Sequence, residues 1–291
     1  MKVLIIGGTG LIGGKVANHL TGLGYDVHTL SRNEPFQLIN GINHFKADIR
    51  DVDSIRKVIS FLQPDVLIQA AWITQHNTYQ NSEENLNYQK FTIALGKSLK
   101  NSSVRLFIGI GSSAEYALHD SDLKLLVTPY SKAKNEVFRE LNEFFKSTDI
   151  KFQWLRIFQP YGEFQDKKRF VRELIDKALK KETVIVQNPN IYLDWISTYD
   201  IAAAVEFTLR NEITGIVDIG TGIGTSNLDL TKLIFAETKS DVRNITVLNE
   251  QQVKLKLIAN VDSALFSLGW RPKFDLKIGI HNLIKILQQS S

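Results

Sequence analysis

Val3-Leu4-Ile5-Ile6-Gly7-Gly8-Thr9-Gly10-Leu11-Ile12-Gly13 is the stretch on which the reading of this chain turns. Four apolar residues in a row, three of them β-branched, read as a short strand buried on both faces. The glycines that follow allow a tight turn, and apolar periodicity resumes from Leu11 to Leu20 as a helix. Glycine here lets backbone N–H groups approach a pyrophosphate, whose charge a helix N-terminus stabilises. The strand–turn–helix context makes Gly7, Thr9, Gly10, Leu11, Ile12 and Gly13 candidate dinucleotide contacts.

Working outward, the strand runs Val27–Leu30, His44–Ala47, Val66–Gln69, Leu106–Ile110 and Phe152–Ile157 are interleaved with helices at Ser54–Leu62, Glu83–Lys100 and Pro129–Lys146. Strands and helices in this rhythm predict an α/β fold, a Rossmann-type doubly wound parallel sheet. Past Pro160 the rhythm loosens, with helices at Phe170–Lys180, Ile201–Leu209 and Leu228–Ala236 and strand runs at Val184–Val186 and Ile216–Ile219. We expect residues 1–160 to form a dinucleotide-binding domain to which about 191–221 return. Residues 161–190 and 222–291 are expected to form a smaller α/β substrate domain.

The 291 residues are 43% apolar and 23% charged, the composition of an ordinary globular protein. The absence of cysteine excludes disulfide scaffolds, thiolate metal sites and cysteine nucleophiles, and no metal is expected. The net charge of +4 comes from small scattered groups such as Lys167-Lys168-Arg169 and Lys180-Lys181, which read as solvated helix faces, so no nucleic-acid partner is expected. No apolar run approaches the ~18 residues of a membrane span. Gly7 interrupts the first apolar run too early for a signal peptide, and the expected location is cytoplasmic.

The residue ending the second strand selects the dinucleotide, because a carboxylate there accepts from the ribose 2′-OH. Ser31-Arg32-Asn33 offers no carboxylate to repel a 2′-phosphate and a guanidinium to pair with one, so NADP(H) is expected in preference to NAD(H), which remains possible. Asp48-Ile49 is placed to touch the adenine edge, although Asp48 could equally cap the next turn. Tyr130 and Lys134 are one helical turn apart, so the ammonium is expected beside the phenol, lowering its pKa from ~10. Ser112 ends the preceding strand, where a hydroxyl can bond the oxygen of a reacting carbonyl.

On these residues the chain resembles the extended short-chain dehydrogenase/reductase family over nearly its whole length. These are the NAD(P)-dependent sugar-nucleotide epimerases, dehydratases and reductases. The resemblance implies a catalytic Ser112, Tyr130 and Lys134, with Tyr130 and Lys134 also touching cofactor. Gln69-Ala70-Ala71-Trp72 is similar to the family's segment after the fourth strand, implying cofactor contacts at Gln69, Ala70 and Ala71 and substrate contact at Trp72. Asn85-Leu86-Asn87 resembles Asn-Val-Asn, implying a cofactor role for Asn85. Arg156-Ile157-Phe158-Gln159-Pro160-Tyr161-Gly162 resembles Arg-x-Phe-Asn-Pro-x-Gly, placing Phe158 by the nicotinamide and Gln159 by the substrate. Asp194-Trp195-Ile196 with Asp200-Ile201-Ala202, and Leu268-Gly269-Trp270-Arg271-Pro272, resemble later signatures.

The departures are informative. Leu193 stands where many members carry a diphosphate-binding arginine, so either Arg169 or Lys168 takes that role or the substrate is not nucleotide-linked. Dehydratases of the family carry Thr-Asp-Glu where this chain has Ser112, Ser113 and Ala114, which leaves no acid–base pair for elimination of water and makes Ser113 a substrate contact. The expectation is therefore an NADPH-dependent reductase of a nucleotide-linked 4-keto-deoxysugar; the alternatives are an NAD(P)-dependent sugar-nucleotide epimerase and a non-catalytic NADP-binding regulator. A homodimer is expected across the helices that carry Phe91, Leu95, Phe138, Leu141 and Phe145.

Overall fold

Alternate residues of β1 (Lys2–Ile6) face opposite ways: Val3 and Ile5 enter one hydrophobic core, Leu4 and Ile6 another. A strand buried on both faces must do this. In the computed structural model, which describes residues 1–34, 41–76, 78–248 and 255–289, the chain continues through α1 (Leu11–Gly22), β2 (Asp26–Ser31), β3 (Asn43–Lys46), α2 (Val52–Leu62), β4 (Val66–Gln69), α3 (Glu84–Lys97), β5 (Leu106–Ser112), α4 (Pro129–Phe145) and β6 (Lys151–Ile157). Next come β7 (Gln159–Tyr161), α5 (Phe170–Leu179), β8 (Val184–Val186), β9 (Ile191–Ser197), α6 (Thr198–Arg210) and β10 (Gly215–Ile219). The last elements are β11 (Gly224–Ser226), α7 (Asn227–Glu237), β12 (Ile245–Val247), β13 (Leu255–Leu257), α8 (Ala264–Ser267) and α9 (Leu276–Gln289).

The large sheet runs β10-β6-β5-β4-β1-β2-β3 with every neighbouring pair parallel, the expected doubly wound arrangement. Strand order reverses between β1 and β4, and in such sheets ligands bind beyond the carboxyl ends of the strands at that point. One face is covered by α1 and α6 through Val16, Leu20, Ile201 and Val205, the other by α2, α3 and α4 through Ile55, Leu95, Val137 and Leu141. A second unit forms around β9, which pairs with β7, β11 and β13, and around the packing of α5, α7 and α9. The short α8, from the stretch expected in the smaller domain, instead packs Leu265 and Phe266 into the large-sheet core. Among the described residues no helix is long and apolar enough to cross a membrane.

The apolar residues on which the dimer expectation rested are turned inward. Leu95, Leu141 and Phe145 are buried, Phe91 and Phe138 pack against the same core, and the outer faces of α3 and α4 carry the Lys97–Glu140 ion pair at 2.7 Å. These residues cover their own sheet, so they give no argument for a two-fold interface.

The turn after β1 is built on missing side chains. Gly7 has φ of 83°, and a Cβ there would stand 2.6 Å from the backbone nitrogen of Ala71; a Cβ at Gly13 would stand 2.4 Å from the carbonyl oxygen of Gly7. Gly13→Ala is therefore expected to destabilise the protein by about 1–3 kcal/mol through overpacking. Gly22→Ala, near the end of the same helix with nothing within 4 Å, should stabilise it by about 0.4–1 kcal/mol. Urea unfolding of the two variants checks both signs.

Candidate active site

Helix α1 begins behind Gly10 with no side-chain cap and no acidic residue in its first turn, so no side chain neutralises its positive end. The side-chain-free approach of Gly7 and Gly13 leaves backbone alone to line the turn. This is a cradle that suits a dinucleotide pyrophosphate. Beside it, Thr9 Oγ1 donates to Ser31 Oγ at 2.9 Å and Ser31 Oγ donates to the Asn33 carbonyl at 2.8 Å. Arg32, about half exposed, lies 4.0 Å from the Asp48 carboxylate.

Asp48 takes the second of its two expected roles: its carboxylate accepts from the Arg50 N–H at 2.9 Å and caps the turn that follows. Arg50, which the sequence reading missed, grips it with Nε at 3.1 Å and Nη2 at 2.7 Å, and these hydrogen bonds hold its carboxyl below the usual range. The carboxylate is thus turned to a guanidinium. Ile49 is buried in the core under β3, so its side chain packs rather than contacts a ligand.

At the end of β4 the side chains of Gln69 and Asn85 make their contacts within the chain. The Gln69 amide bonds Ala71 at both its N–H and its carbonyl, at 2.7 and 3.1 Å, and donates to Thr92 Oγ1 at 2.9 Å. Asn85 is fully buried; it donates to the carbonyls of Tyr79 and Ser82 at 2.5 and 2.8 Å and accepts from Trp72 Nε1 at 2.9 Å. Every polar atom of these two amides is occupied within the chain. They brace the residues that follow β4 through Ala71, Trp72, Tyr79 and Ser82.

That segment covers the start of α4, where the Gln80 carbonyl accepts from the Tyr130 N–H at 3.0 Å. Thr128 caps the helix, exchanging hydrogen bonds with Ser131, and Pro129 holds its first position. Tyr130 therefore stands in the first turn and Lys134 one turn on. The Tyr130 ring meets Tyr79 edge to face at 5.1 Å and Trp72 at 6.3 Å, and its hydroxyl is within hydrogen-bonding reach of Ser112 at the end of β5. Ser112 from the end of β5 and Tyr130 from the start of α4 thus meet at one crevice.

The electrostatics depart from the sequence reading. Burial pushes the Tyr130 phenol up, Tyr79 adds to this, and the hydrogen bond to Ser112 opposes it. Lys134 does not sit against the phenol: its Nζ donates to the Ile110 carbonyl at 2.6 Å and lies 3.9 Å over the Trp72 ring but 6.0 Å from the Tyr130 ring. Burial also pushes Lys134 down, against the attraction of Glu115. The backbone carbonyl and the indole face hold the ammonium beneath the phenol.

Of the expected substrate contacts, Trp72 and Gln159 are partly exposed at the crevice walls, and Arg169 reaches over it, with its guanidinium 4.7 Å from the Tyr79 ring and Nη2 3.0 Å from the Thr74 carbonyl. Ser113 and Phe158 are buried and lie behind the crevice, Phe158 against Tyr116 at 5.9 Å. Below them Arg156 bridges Tyr116 and Asp218, with Nε 2.7 Å from the Asp218 carboxylate, and burial with that carboxylate raises the Tyr116 phenol to about 12. Asp194 is fully buried and accepts from the N–H groups of Thr221, Gly222 and Ala259 at 2.8 to 3.1 Å. It fixes the loop after β10 and takes no part in the crevice.

Residues 3–220 match the model of the NAD dependent epimerase/dehydratase family. The chain belongs to that family. Its members are enzymes of the epimerase and oxidoreductase kind. A provisionally assigned UDP-glucose 4-epimerase of Methanocaldococcus jannaschii is 28% identical over 308 residues, covering 99% of both chains. Among solved structures, the UDP-glucose 4-epimerase of Thermotoga maritima with UDP-glucose superposes with a TM-score of 0.85 at 21% identity, covering 100% of this chain and 99% of that one. The UDP-glucose 4-epimerase of Thermus thermophilus in complex with NAD gives 0.80 at 19% identity over the full length of both.

Within this epimerase/dehydratase frame Leu193 is a true departure: it lies in β9, pairs with Leu257 and packs against two hydrophobic clusters, so an arginine there would meet an apolar wall. Arg169 stands instead by Tyr79, near enough to Tyr130 to act on its phenol.

The bracket formed by Asn85 is directly testable. Asn85→Ala strands the buried groups it serves, and each unsatisfied buried group costs about 1–3 kcal/mol, so a loss of at least about 2 kcal/mol is expected in urea unfolding. Proteolytic nicking between Trp72 and Ser82 should rise with it, whereas unchanged stability would show that the amide holds nothing.

Proposed function

We propose that this chain is a nicotinamide-dependent sugar-nucleotide 4-epimerase. The observation that carries the proposal is the makeup of the crevice: one acid–base group, the Tyr130 phenol, with the Ser112 hydroxyl in reach of it. The carboxylate that follows Ser112 in the chain, Glu115, is turned inward to Ser112 N and Trp154 Nε1. One such group suffices to remove and return the hydroxyl proton on the oxygen of one carbon, while elimination of water needs two. The relatives named above support the epimerase over the reductase.

A nicotinamide dinucleotide on the Gly7–Gly13 turn would supply hydride acceptance and return at the sugar's C4. Tyr130 Oη takes the proton of the C4 hydroxyl as the carbonyl forms and gives it back when hydride returns to the opposite face, so no net cofactor is consumed. Ser112 Oγ donates to the same oxygen and fixes its position. The Lys134 ammonium, 6.0 Å from the Tyr130 ring, adds a longer-range attraction for the phenolate that exists between the two transfers. Trp72 and Tyr79 wall the reacting carbon from water. Arg169 pairs with an anionic part of the substrate, replacing the arginine absent at 193.

The second reading, reduction of a 4-keto sugar nucleotide, is favoured by Arg32 and by the lack of a carboxylate at residues 31–33. Both readings use NADP(H) in preference to NAD(H) if Arg32 meets a 2′-phosphate. A charge-assisted bond of this kind is worth about 1.5–3 kcal/mol, so Arg32→Ala should weaken NADPH at least roughly tenfold and leave NADH unchanged in fluorescence titrations. Equal loss for both dinucleotides removes the preference.

The reaction itself is decided by proton NMR of UDP-glucose and UDP-N-acetylglucosamine incubated with either oxidised dinucleotide. Inversion at C4 with constant absorbance at the reduced-nicotinamide band is expected. Tyr130→Phe keeps the ring contacts, so its turnover should fall by ~10²–10⁴ with dinucleotide affinity unchanged. Stoichiometric oxidation of NADPH by a 4-keto sugar nucleotide, with no inversion of either hexose, would establish the reductase instead.

A further inference from the structure

Glu115 is 2% exposed, charged when ionised, and has no part in the proton transfers described above. Its two oxygens face different elements. Oε1 accepts from the Ser112 N–H at 2.7 Å, and Oε2 accepts from Trp154 Nε1 at 2.9 Å. Ser112 Oγ in turn accepts from Ala114 N at 3.2 Å, which closes a reciprocal capping box around the residue that ends β5.

The strand has been opened to admit this carboxylate. A Cβ at Gly111 would lie 2.8 Å from Glu115 Oε1 and 2.4 Å from Trp154 Nε1, and one at Gly109 would lie 2.4 Å from the Trp154 ring. Glycine at alternate positions of β5 thus leaves a slot for the indole and the carboxylate on the α4 side of the sheet. Lys134 lies across that slot, its Nζ 5.9 Å from the Trp154 ring. Lys134 is faced by Tyr130 on its own helix, by the Trp72 ring and Ile110 carbonyl, and by Glu115, the acidic group that acts on it. Glu115 is faced by Lys134 and by Arg156 of β6, and Arg156 is already paired with Asp218 of β10 and bonded to Tyr116.

We infer that Glu115 is a positioning residue for the reaction: through the Ser112 amide it fixes the hydroxyl that meets the substrate oxygen, and it is the carboxylate enclosed with the Lys134 amine around the Trp154 indole on the α4 side of β5. The inference rests on the Ser112, Tyr130 and Lys134 reading above. Burial pushes Glu115 up and Lys134 down; the hydrogen bonds from Ser112 and Trp154, and then the attraction of Lys134, favour the Glu115 carboxylate, while Glu115 favours the Lys134 ammonium. Glu115→Gln keeps the size and an acceptor for the Ser112 N–H but removes the charge. Without it, Lys134 must lose its proton at lower pH.

The test is a pH titration of the Lys134 Nζ by NMR in 15N-lysine-labelled full-length protein, which needs no turnover. Glu115→Gln should move the midpoint down by about one pH unit or more, the lower end of what a neighbouring opposite charge exerts, and Glu115→Asp should restore part of it. Gly111→Ala, whose Cβ displaces Oε1 without removing the carboxylate, should weaken exchange protection of the Ser112 amide. In the pH–rate profile of the epimerisation, the alkaline limb should move down in parallel with the Lys134 midpoint, with KM little changed and kcat reduced. A Lys134 midpoint that is the same in Glu115→Gln and wild type overturns the inference, even if the variant melts at lower temperature. Absence of activity in the wild type would instead overturn the catalytic reading, and the NMR midpoints would still decide the role of Glu115.

Discussion

Between Gly7 and Ala71 two backbones pass so closely that neither β1 nor β4 could keep its place if a side chain intervened. That approach sets the strand-order reversal, brings α1 down onto the turn behind it, and aims the start of that helix at the gap. The remaining site is hung from the same two strands. The segment following β4 is folded back by Gln69 and Asn85, and its Gln80 carbonyl receives the Tyr130 N–H, so the position of the phenol is inherited from the β1–β4 junction through a chain of hydrogen bonds.

A second layer of constraint is electrostatic. An ammonium enclosed by protein is costly unless its surroundings replace water, and Lys134 is given a carbonyl oxygen at 2.6 Å and an indole face at 3.9 Å. A cation over a desolvated aromatic ring contributes about 2 kcal/mol, and a charge-assisted hydrogen bond roughly 1.5–3 kcal/mol. Together those two contacts approach the several kcal/mol that an ion loses on leaving water. The buried Glu115 carboxylate adds its attraction to them.

Much of this was legible in the chain. The strand, glycine turn and helix at residues 3–20, the alternation to residue 157 and the convergence of Ser112, Tyr130 and Lys134 follow from period, turn chemistry and spacing, which are local signals. Other features depended on tertiary contact. Residues 191–197 carry a recognisable motif but read poorly as a strand because Asp194 interrupts the apolar run; it is buried there since loop amides surround it. The strands β7, β11, β12 and β13 have three residues each, too few for a period to register. Tyr79 sits in no motif, and only the folded chain shows its ring on Tyr130. Glu115 could have been found, because Ser112-x-x-Glu115 is a capping-box spacing. The direction of the Lys134 amine could not: helical spacing puts two side chains on one face but leaves open which neighbour a long flexible one meets.

The slot along β5 also bears on how this protein can change over generations. Gly109, Gly111 and Trp154 exclude one another's alternatives: any Cβ at either glycine collides with the indole, and loss of the indole leaves the carboxylate at 115 without one of its two N–H partners. Single replacements at these positions are penalised whichever comes first, so the three residues and Glu115 pass between descendants as one inherited block. A lineage in which residue 154 became small would be free to fill positions 109 and 111. Such a lineage would be expected to carry an uncharged residue at 115, so that the four positions vary together while the surrounding strands drift independently.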